Sequence, residues 1–344
     1  MKNINQQATH LMILLISLLP FFLLTGPFLP NFVVSICCFF LFYYLKIRSS
    51  FSFLNSKFFI LYFVFLLLLI LSSFFSANIE HSLEHSLFYF RFILFAILLS
   101  LLISSNSKIT DYIFYILISI FLFLIIDGFL QFFFEFNIFM QPMTDRRISS
   151  IFGDEFILGS YLSRFLPFVI ALFYFKQYAK KYNEIILVFF SLFIFLTVYF
   201  TGERIAIFNT FISIFLIMIL LQSKKIAYYF LSTFLLFTVY LLFFSNLLVN
   251  NRIILNTINQ IGIFEKQKYF FSKHIDAYYH TALNMFYANP LLGIGPKNFR
   301  LFCSDPDYIY IATNMENCNT HPHNIFIQLL SETGIFSAFL YIIF

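Results

Sequence analysis

An all-α polytopic membrane protein is the fold this sequence predicts, and three observations predict it. Of the 344 residues, 61% are hydrophobic and only 11% are charged, where a soluble domain carries roughly 25% charged residues. Apolar runs of about 20 residues, the length that crosses a bilayer as a helix, recur along the whole chain. One long stretch, 248–323, is too polar to span and directly precedes the last apolar run. Length alone would suggest two soluble domains; a mean hydropathy of +0.88 excludes them. The abundance of Phe, 57 with no Trp, reads as compositional drift and carries no function.

In chain order the apolar runs place helices near 11–29, 30–45, 57–75, 87–104, 111–133, 156–175, 184–200, 204–221, 226–247 and 324–344. This gives a nine-helix bundle over 1–247, a loop over 248–323 and a last helix over 324–344. The first run follows a lone Lys2, as a signal peptide would. No small-x-small cleavage site follows it, so it reads as a retained first helix. With ten spans both termini lie on one side. Basic residues say which side. The segments assigned inside carry Lys2, Lys46, Arg48, Lys57, Lys108, Lys176, Lys180, Lys181, Lys224 and Lys225; the short outside loops carry Arg146, Arg147 and Arg204. The bias puts the amino terminus in the cytoplasm and 248–323 outside, which in a Gram-negative cell is the periplasm. The segment 76–86 reads as a plain outside loop.

Arginine is distributed differently from lysine. Of Arg48, Arg91, Arg146, Arg147, Arg164, Arg204, Arg252 and Arg300, only Arg48 lies inside. A guanidinium binds phosphate with two parallel hydrogen bonds. Arg91 stands about one turn and Arg164 about two turns into a span, where a charge is costly unless it faces protein or a wet cavity. Asp127 and Gln131 share a helix face. At 1.5 Å per residue Asp127 lies roughly 9 Å deep and Arg164 roughly 12 Å, which predicts that the two pair inside the bundle.

Within 248–323, Ser272 to Ala288 reads as an amphipathic helix capped by Ser272. Next comes Asn289-Pro-Leu-Leu-Gly293-Ile-Gly295-Pro296, a fixed turn whose glycines allow close backbone approach to a ligand. Thr201-Gly-Glu-Arg204 opens a helix whose free N–H groups, with an arginine, suit a phosphate. Asp154 and Glu155 suit the start of the sixth span. Cys303 and Cys318 leave a disulfide and two free thiols both open, while Cys37 and Cys38 read as packing. No cluster has metal-site spacing, no cofactor motif is present and nothing reads as a nucleic-acid binder. The stretch His321-Pro322-His323-Asn324 ends the loop where apolar sequence begins. An imidazole there reaches both lipid-borne and water-borne substrates.

These motifs, in order, carry a resemblance. Arg147-x-Ser-x-x-Phe-Gly-Asp, Thr-Gly-x-Arg204-x-Ala, Asn-Pro-x-x-Gly293-x-Gly295-x-x-Asn298-Phe299, and His323-Asn324 with Glu332-x-Gly334 resemble the O-antigen ligase and O-antigen polymerase family, from about residue 120 onward. The resemblance implies a multi-span, metal-independent glycosyltransferase of the bacterial inner membrane without a cofactor. Such enzymes move a glycan from an undecaprenyl-diphosphate carrier to a glycan, lipid A core or protein hydroxyl at the periplasmic face. His323 matches the family's essential histidine, Arg204 its span-edge arginine and Arg252 its loop arginine. Asn324 and Gly334 fit the ligase pattern and Ser337 departs from it, which favours the polymerase side. The family continues past this point, so the resemblance also implies further helices after Phe344. By chemistry, His323 is a base or orienter for the acceptor hydroxyl. Arg204, Arg147 and Arg164 meet the diphosphate charge, with Arg252 further out and Arg91, Asn324, Gly293 and Gly295 lining the substrate. The competing reading is a flippase or transporter of the same lipid-linked glycan, a class marked by internal repeats and broken midplane helices.

Overall fold

The computed structural model describes residues 6–48, 52–106, 108–144, 147–175, 181–221, 223–243, 258–259, 269, 272–310 and 318–343. Its regular elements are helices: α1 (Gln6–Ser17), α2 (Leu19–Phe22), α3 (Phe28–Arg48), α4 (Lys57–Phe74), α5 (Ile79–Leu87), α6 (Phe90–Ser105), α7 (Lys108–Phe134), α8 (Leu158–Phe175), α9 (Lys181–Thr201), α10 (Arg204–Leu220), α11 (Lys224–Phe243), α12 (Lys273–Ala288), α13 (Phe299–Phe302) and α14 (Ile325–Ile343). The first expected apolar run, 11–29, is broken between α1 and α2, and the described residues of the later runs lie mainly in helices. Among the described residues six helices are long and apolar enough to cross a membrane, or seven if the bent pair at Gln7–Ser17 and Leu19–Thr25 is one span. Leu158–Tyr174 and Arg204–Leu220 are shorter apolar helices.

The chain divides into two compact units. One comprises Met1–Met12, Phe32–Leu101 and Ile258–Phe344; the other comprises Ile13–Asn31 and Leu102–Thr257.

In the second unit α7, α8, α9 and α10 pack on one another. On α7 the buried residues Ile113, Leu117, Ile120, Phe121, Leu124 and Gly128 recur at helical spacing, while Tyr112, Tyr115, Leu122, Ile126 and Phe133 are exposed. An exposed face that remains apolar suits lipid rather than water. Gly128 lets Ile148 and Thr197 come close. Hydroxyls within the bundle bond back to their own helices, Ser191 to the Leu187 carbonyl and Thr210 to that of Ala206.

The expected Asp127–Arg164 pair is absent. Asp127 is fully buried, and its carboxylate accepts the Ile138 N–H at 2.7 Å and the Ser150 hydroxyl. Gln131 Oε1 accepts the N–H groups of Ser149 and Ser150, both at 2.8 Å. The shared face of Asp127 and Gln131 therefore serves the chain's own loop, holding Ile138, Ser149 and Ser150 against α7. Neutral donors satisfy the carboxylate, and Arg164 is exposed on α8.

The first unit is organised by a break in α14. Gly334, at φ 75° and ψ −177°, interrupts the helix. The Ile335 N–H, which would bond Ser331 O in a continuous helix, bonds Pro290 O at 3.0 Å instead. Ser331 O takes the Ile294 N–H at 3.0 Å and Glu332 O the Gly295 N–H at 2.9 Å. The Ser72 hydroxyl is placed against both Leu292 O (2.6 Å) and Glu332 O (3.1 Å). The Asn289–Pro296 turn is thus spliced into the hydrogen-bond ladder of the last helix. This corrects the expectation that Gly293 and Gly295 admit a ligand. A Cβ on Gly293 would overlap the Glu332–Thr333 peptide, and one on Gly295 would overlap Ser76. What they admit is the protein's own backbone.

The segment 76–86 is likewise not a plain loop. Asn78 caps α5 by accepting the His81 N–H at 3.1 Å. Ser82 and Ser86, four residues apart, bury their hydroxyls against Pro296 O and Ser73. The expected helix over 272–288 is α12, and Ser272 Oγ accepts the Ile275 N–H. Its residues Tyr278, Ala282 and Met285 join Ile294, Phe299 and Cys303 in a buried cluster.

Gly334→Ala places a Cβ onto the Leu291 carbonyl at a backbone geometry reserved for glycine. The expected loss is about 1–3 kcal/mol for the backbone and a further 1–3 kcal/mol or so for the clash. A clear drop in the melting temperature of the detergent-solubilised protein checks it.

Candidate functional site

Each unit gathers part of the predicted set. In the second unit, Arg147 is buried, donates from Nε to Thr201 O at 2.7 Å and lies over the Phe156 ring at 3.8 Å. Thr201 ends α9; Arg204 opens α10 and is exposed. Between them, Glu203 reaches to α8, accepting the Gly159 N–H (2.7 Å), the Ser160 N–H (2.9 Å) and the Ser160 hydroxyl (2.6 Å). This carboxylate satisfies orphan donors at a helix start. Asp154 and Glu155, expected in that role, precede the helix and are exposed, because α8 begins only at Leu158. Arg147 and the Thr201–Arg204 turn therefore lie together at one end of this unit.

In the first unit, Asn324 Oδ1 accepts the N–H groups of Phe326 (2.9 Å) and Ile327 (3.3 Å), capping α14. Asn324 thus begins the helix, and its neighbour His323 stands outside it. His323 is exposed, with φ 59°, and its ring lies 4.4 Å from His321 and 5.8 Å from Tyr278. Cys303 and Cys318 are paired as a disulfide; Cys37 and Cys38 are free and buried. Burial, and after it the charges of His323, Lys297 and Arg300, hold the His321 imidazole below its ordinary pKa.

Two cavities adjoin here. An apolar one of about 330 Å³ runs between α4, α6 and α14, with Gln328, Glu332 and Lys297 at its polar part. A second, of about 320 Å³, is lined by Arg91, Lys297, His85 and Glu84. Tyr89, Phe92 and Lys297 line both. The Arg91 Nε is buried with no protein partner among the described residues, and its guanidinium lies 5.0 Å from the Phe92 centroid. Glu332 is buried and accepts the Phe299 N–H at 3.3 Å and Gln328 Nε2 at 2.9 Å. Lys297, at φ 64°, was not foreseen. Its sequence signal is its place directly after Gly295-Pro296, where the spliced turn leaves the helix. Arg252 lies outside the described residues.

Residues 189–342 match the family model described as O-antigen ligase. The match supports a likeness to the O-antigen ligase/polymerase family over that stretch. The match takes in Thr201–Arg204, the Gly293–Gly295 turn, His323–Asn324 and the broken helix; Arg91, Arg147 and Arg164 precede it. No curated protein and no solved structure matches the chain.

Glu203→Ala leaves the Gly159 and Ser160 donors without an acceptor. It is expected to cost about 1–3 kcal/mol, read as a lower melting temperature, with Glu203→Gln intermediate because it retains one acceptor oxygen. For His321 a lowered folded pKa means the unfolded chain binds its proton first. Its contribution is present above pH 6.5 and is lost as pH falls through the folded value. His321→Gln is expected to flatten that part of the stability profile between pH 7 and 5.

Proposed function

We propose that this protein is an O-antigen ligase/polymerase-family enzyme that transfers or polymerises a glycan. The donor is an undecaprenyl-diphosphate carrier, and the acceptor is a hydroxyl at the periplasmic face. The supporting observation is the family match over 189–342, with His323 held just outside the cap of the last matched helix. A glycosyl diphosphate already has a good leaving group, so the demand falls on meeting its growing negative charge. Fixed guanidinium groups meet it electrostatically, in place of a metal. In this reading Arg204 and Arg147 serve the diphosphate from the Thr201 turn. Arg91 and Lys297 supply positive charge beside an apolar cavity fit for a lipid chain. Arg164 and Arg252 are outer candidates. His323 orients the acceptor hydroxyl or takes its proton, and direct attack inverts the anomeric carbon. About ten spans with a cytoplasmic amino terminus and a periplasmic 248–323 segment complete the reading.

A transporter of the same lipid-linked glycan finds one observation in its favour, the break in α14, since transporters build substrate sites from broken helices. Here the break is filled. The backbone groups freed around Gly334 are engaged by the Pro290–Gly295 turn and Ser72, which favours transfer.

His323→Ala and Arg204→Ala are each expected to reduce transfer roughly 100-fold or more while membrane insertion stays normal. The assay is surface polysaccharide on a gel from a deletion strain complemented with each variant. One-repeat lipopolysaccharide in the deletion strain indicates a polymerase, and bare core with accumulated carrier-linked polymer a ligase. Full-length polysaccharide from the His323→Ala strain would remove the mechanism.

A further inference from the structure

The neighbours of His323 specify more than its position. Asn319 Nδ2 lies 3.0 Å from His323 Nε2. The amide is not free to turn round, because Asn319 Oδ1 already accepts the Thr320 backbone N–H at 2.7 Å. The Thr320 hydroxyl lies 3.4 Å from the same oxygen and 2.9 Å from His321 Nδ1. An amide oxygen held by a backbone N–H presents its NH2 group to the ring, and an NH2 group donates. His323 Nε2 must then accept, so it carries no proton. A neutral imidazole has one N–H, and here it falls on Nδ1.

Asn319 is itself anchored. The disulfide ties Cys318, the residue before it, to Cys303. Cys303 is fully buried in the cluster with Phe299 and Met285, and its sulfur lies 3.8 Å from Asn319 O. Phe299 is in turn tied to Glu332 of α14. The asparagine that faces the imidazole is thus fixed to the same framework as the helix that follows the imidazole.

We infer that Asn319, anchored through the Cys303–Cys318 disulfide, is a positioning residue that holds His323 as the Nδ1–H tautomer and makes it a hydrogen-bond donor toward its ligand. The inference rests on the reading that His323 serves glycan transfer, and it narrows that reading. With Nε2 occupied and Nδ1 protonated, the neutral ring has no lone pair for an incoming hydroxyl. It offers one N–H, suited to an oxygen that carries or gains negative charge, such as that of a phosphate or a leaving diphosphate.

The test uses the full chain in lipid nanodiscs with ¹⁵N-labelled histidine, the His323 signal being identified by its loss in His323→Gln. At a pH where the ring is neutral, the wild-type spectrum is expected to show the proton on Nδ1. Asn319→Asp is isosteric but only accepts, so it is expected to move the proton to Nε2. Transfer should fall roughly 10- to 100-fold, at or below the roughly 10²–10³ lost when one oxyanion-stabilising donor is removed. The disulfide and the yield of folded protein should be unchanged. A wild-type ring protonated on Nε2 overturns the inference without reference to any variant. So does wild-type transfer by Asn319→Asp when His323→Ala is inactive. Transfer that persists in His323→Ala removes the functional reading instead, and the spectrum still decides the tautomer.

Discussion

Everything in the first unit depends on one exchange of backbone hydrogen bonds. A helix broken within an apolar span leaves carbonyls and N–H groups that water cannot reach, and each costs several kcal/mol if unmet. In α14 the break at Gly334 frees Ser331 O, Glu332 O and the Ile335 N–H, and the Pro290–Gly295 turn supplies a partner for each. The exchange requires the two backbones to touch. That is why glycine stands at 293, 295 and 334, all at positive φ. A side chain at any of the three would sit where backbone or the Ser76 side chain now sits. Once spliced, the turn delivers Lys297 to the cavities and Phe299 to Glu332.

The second unit solves the same problem with side chains. Asp127 and Gln131 stand four residues apart on a buried face of α7. Between them they take the N–H groups of Ile138, Ser149 and Ser150. Asn137 adds a further layer, accepting the Phe139 and Gln141 N–H groups and donating to Ser150 O. The loop so folded carries Arg147, whose Nε donates to Thr201 O. A buried carboxylate on α7 therefore fixes the approach of Arg147 to the turn that presents Arg204.

The apolar helices were legible in the sequence because hydropathy over 18 or more residues is a strong signal. So were the Ser272 cap and the ordered motifs of the carboxy-terminal half. What was not legible has a common cause. Asp127 and Arg164 were matched by depth, but depth along two helices says nothing of rotation about them, and the carboxylate turned to its own loop. The Gly293–Gly295 turn was correctly read as a place of close approach, with the wrong visitor. Its partner lies some 40 residues later, and one break inside an apolar run leaves no trace in hydropathy. The helix α5 was missed because Glu-His-Ser-Leu-Glu-His-Ser-Leu is polar on average. Its buried face is a row of serines bonded to backbone and to one another, not an apolar stripe.

The division of labour among charges follows from these commitments. Asp127, Glu203 and Glu332 each accept at least one backbone N–H, and each acceptance closes a structural join: loop to α7, α10 to α8, turn to α14. A carboxylate used this way has its oxygens taken up by the chain's own donors. These three acids are therefore spent on architecture, while Lys297, Arg300 and Arg204 lie at exposed or half-buried positions. Under the proposed function, such a chain works by charge complementarity to an anion, with cations and a donating imidazole N–H in place of a carboxylic acid. Glycosyl transfer from a diphosphate has that requirement. Its leaving group needs cations more than it needs an acid.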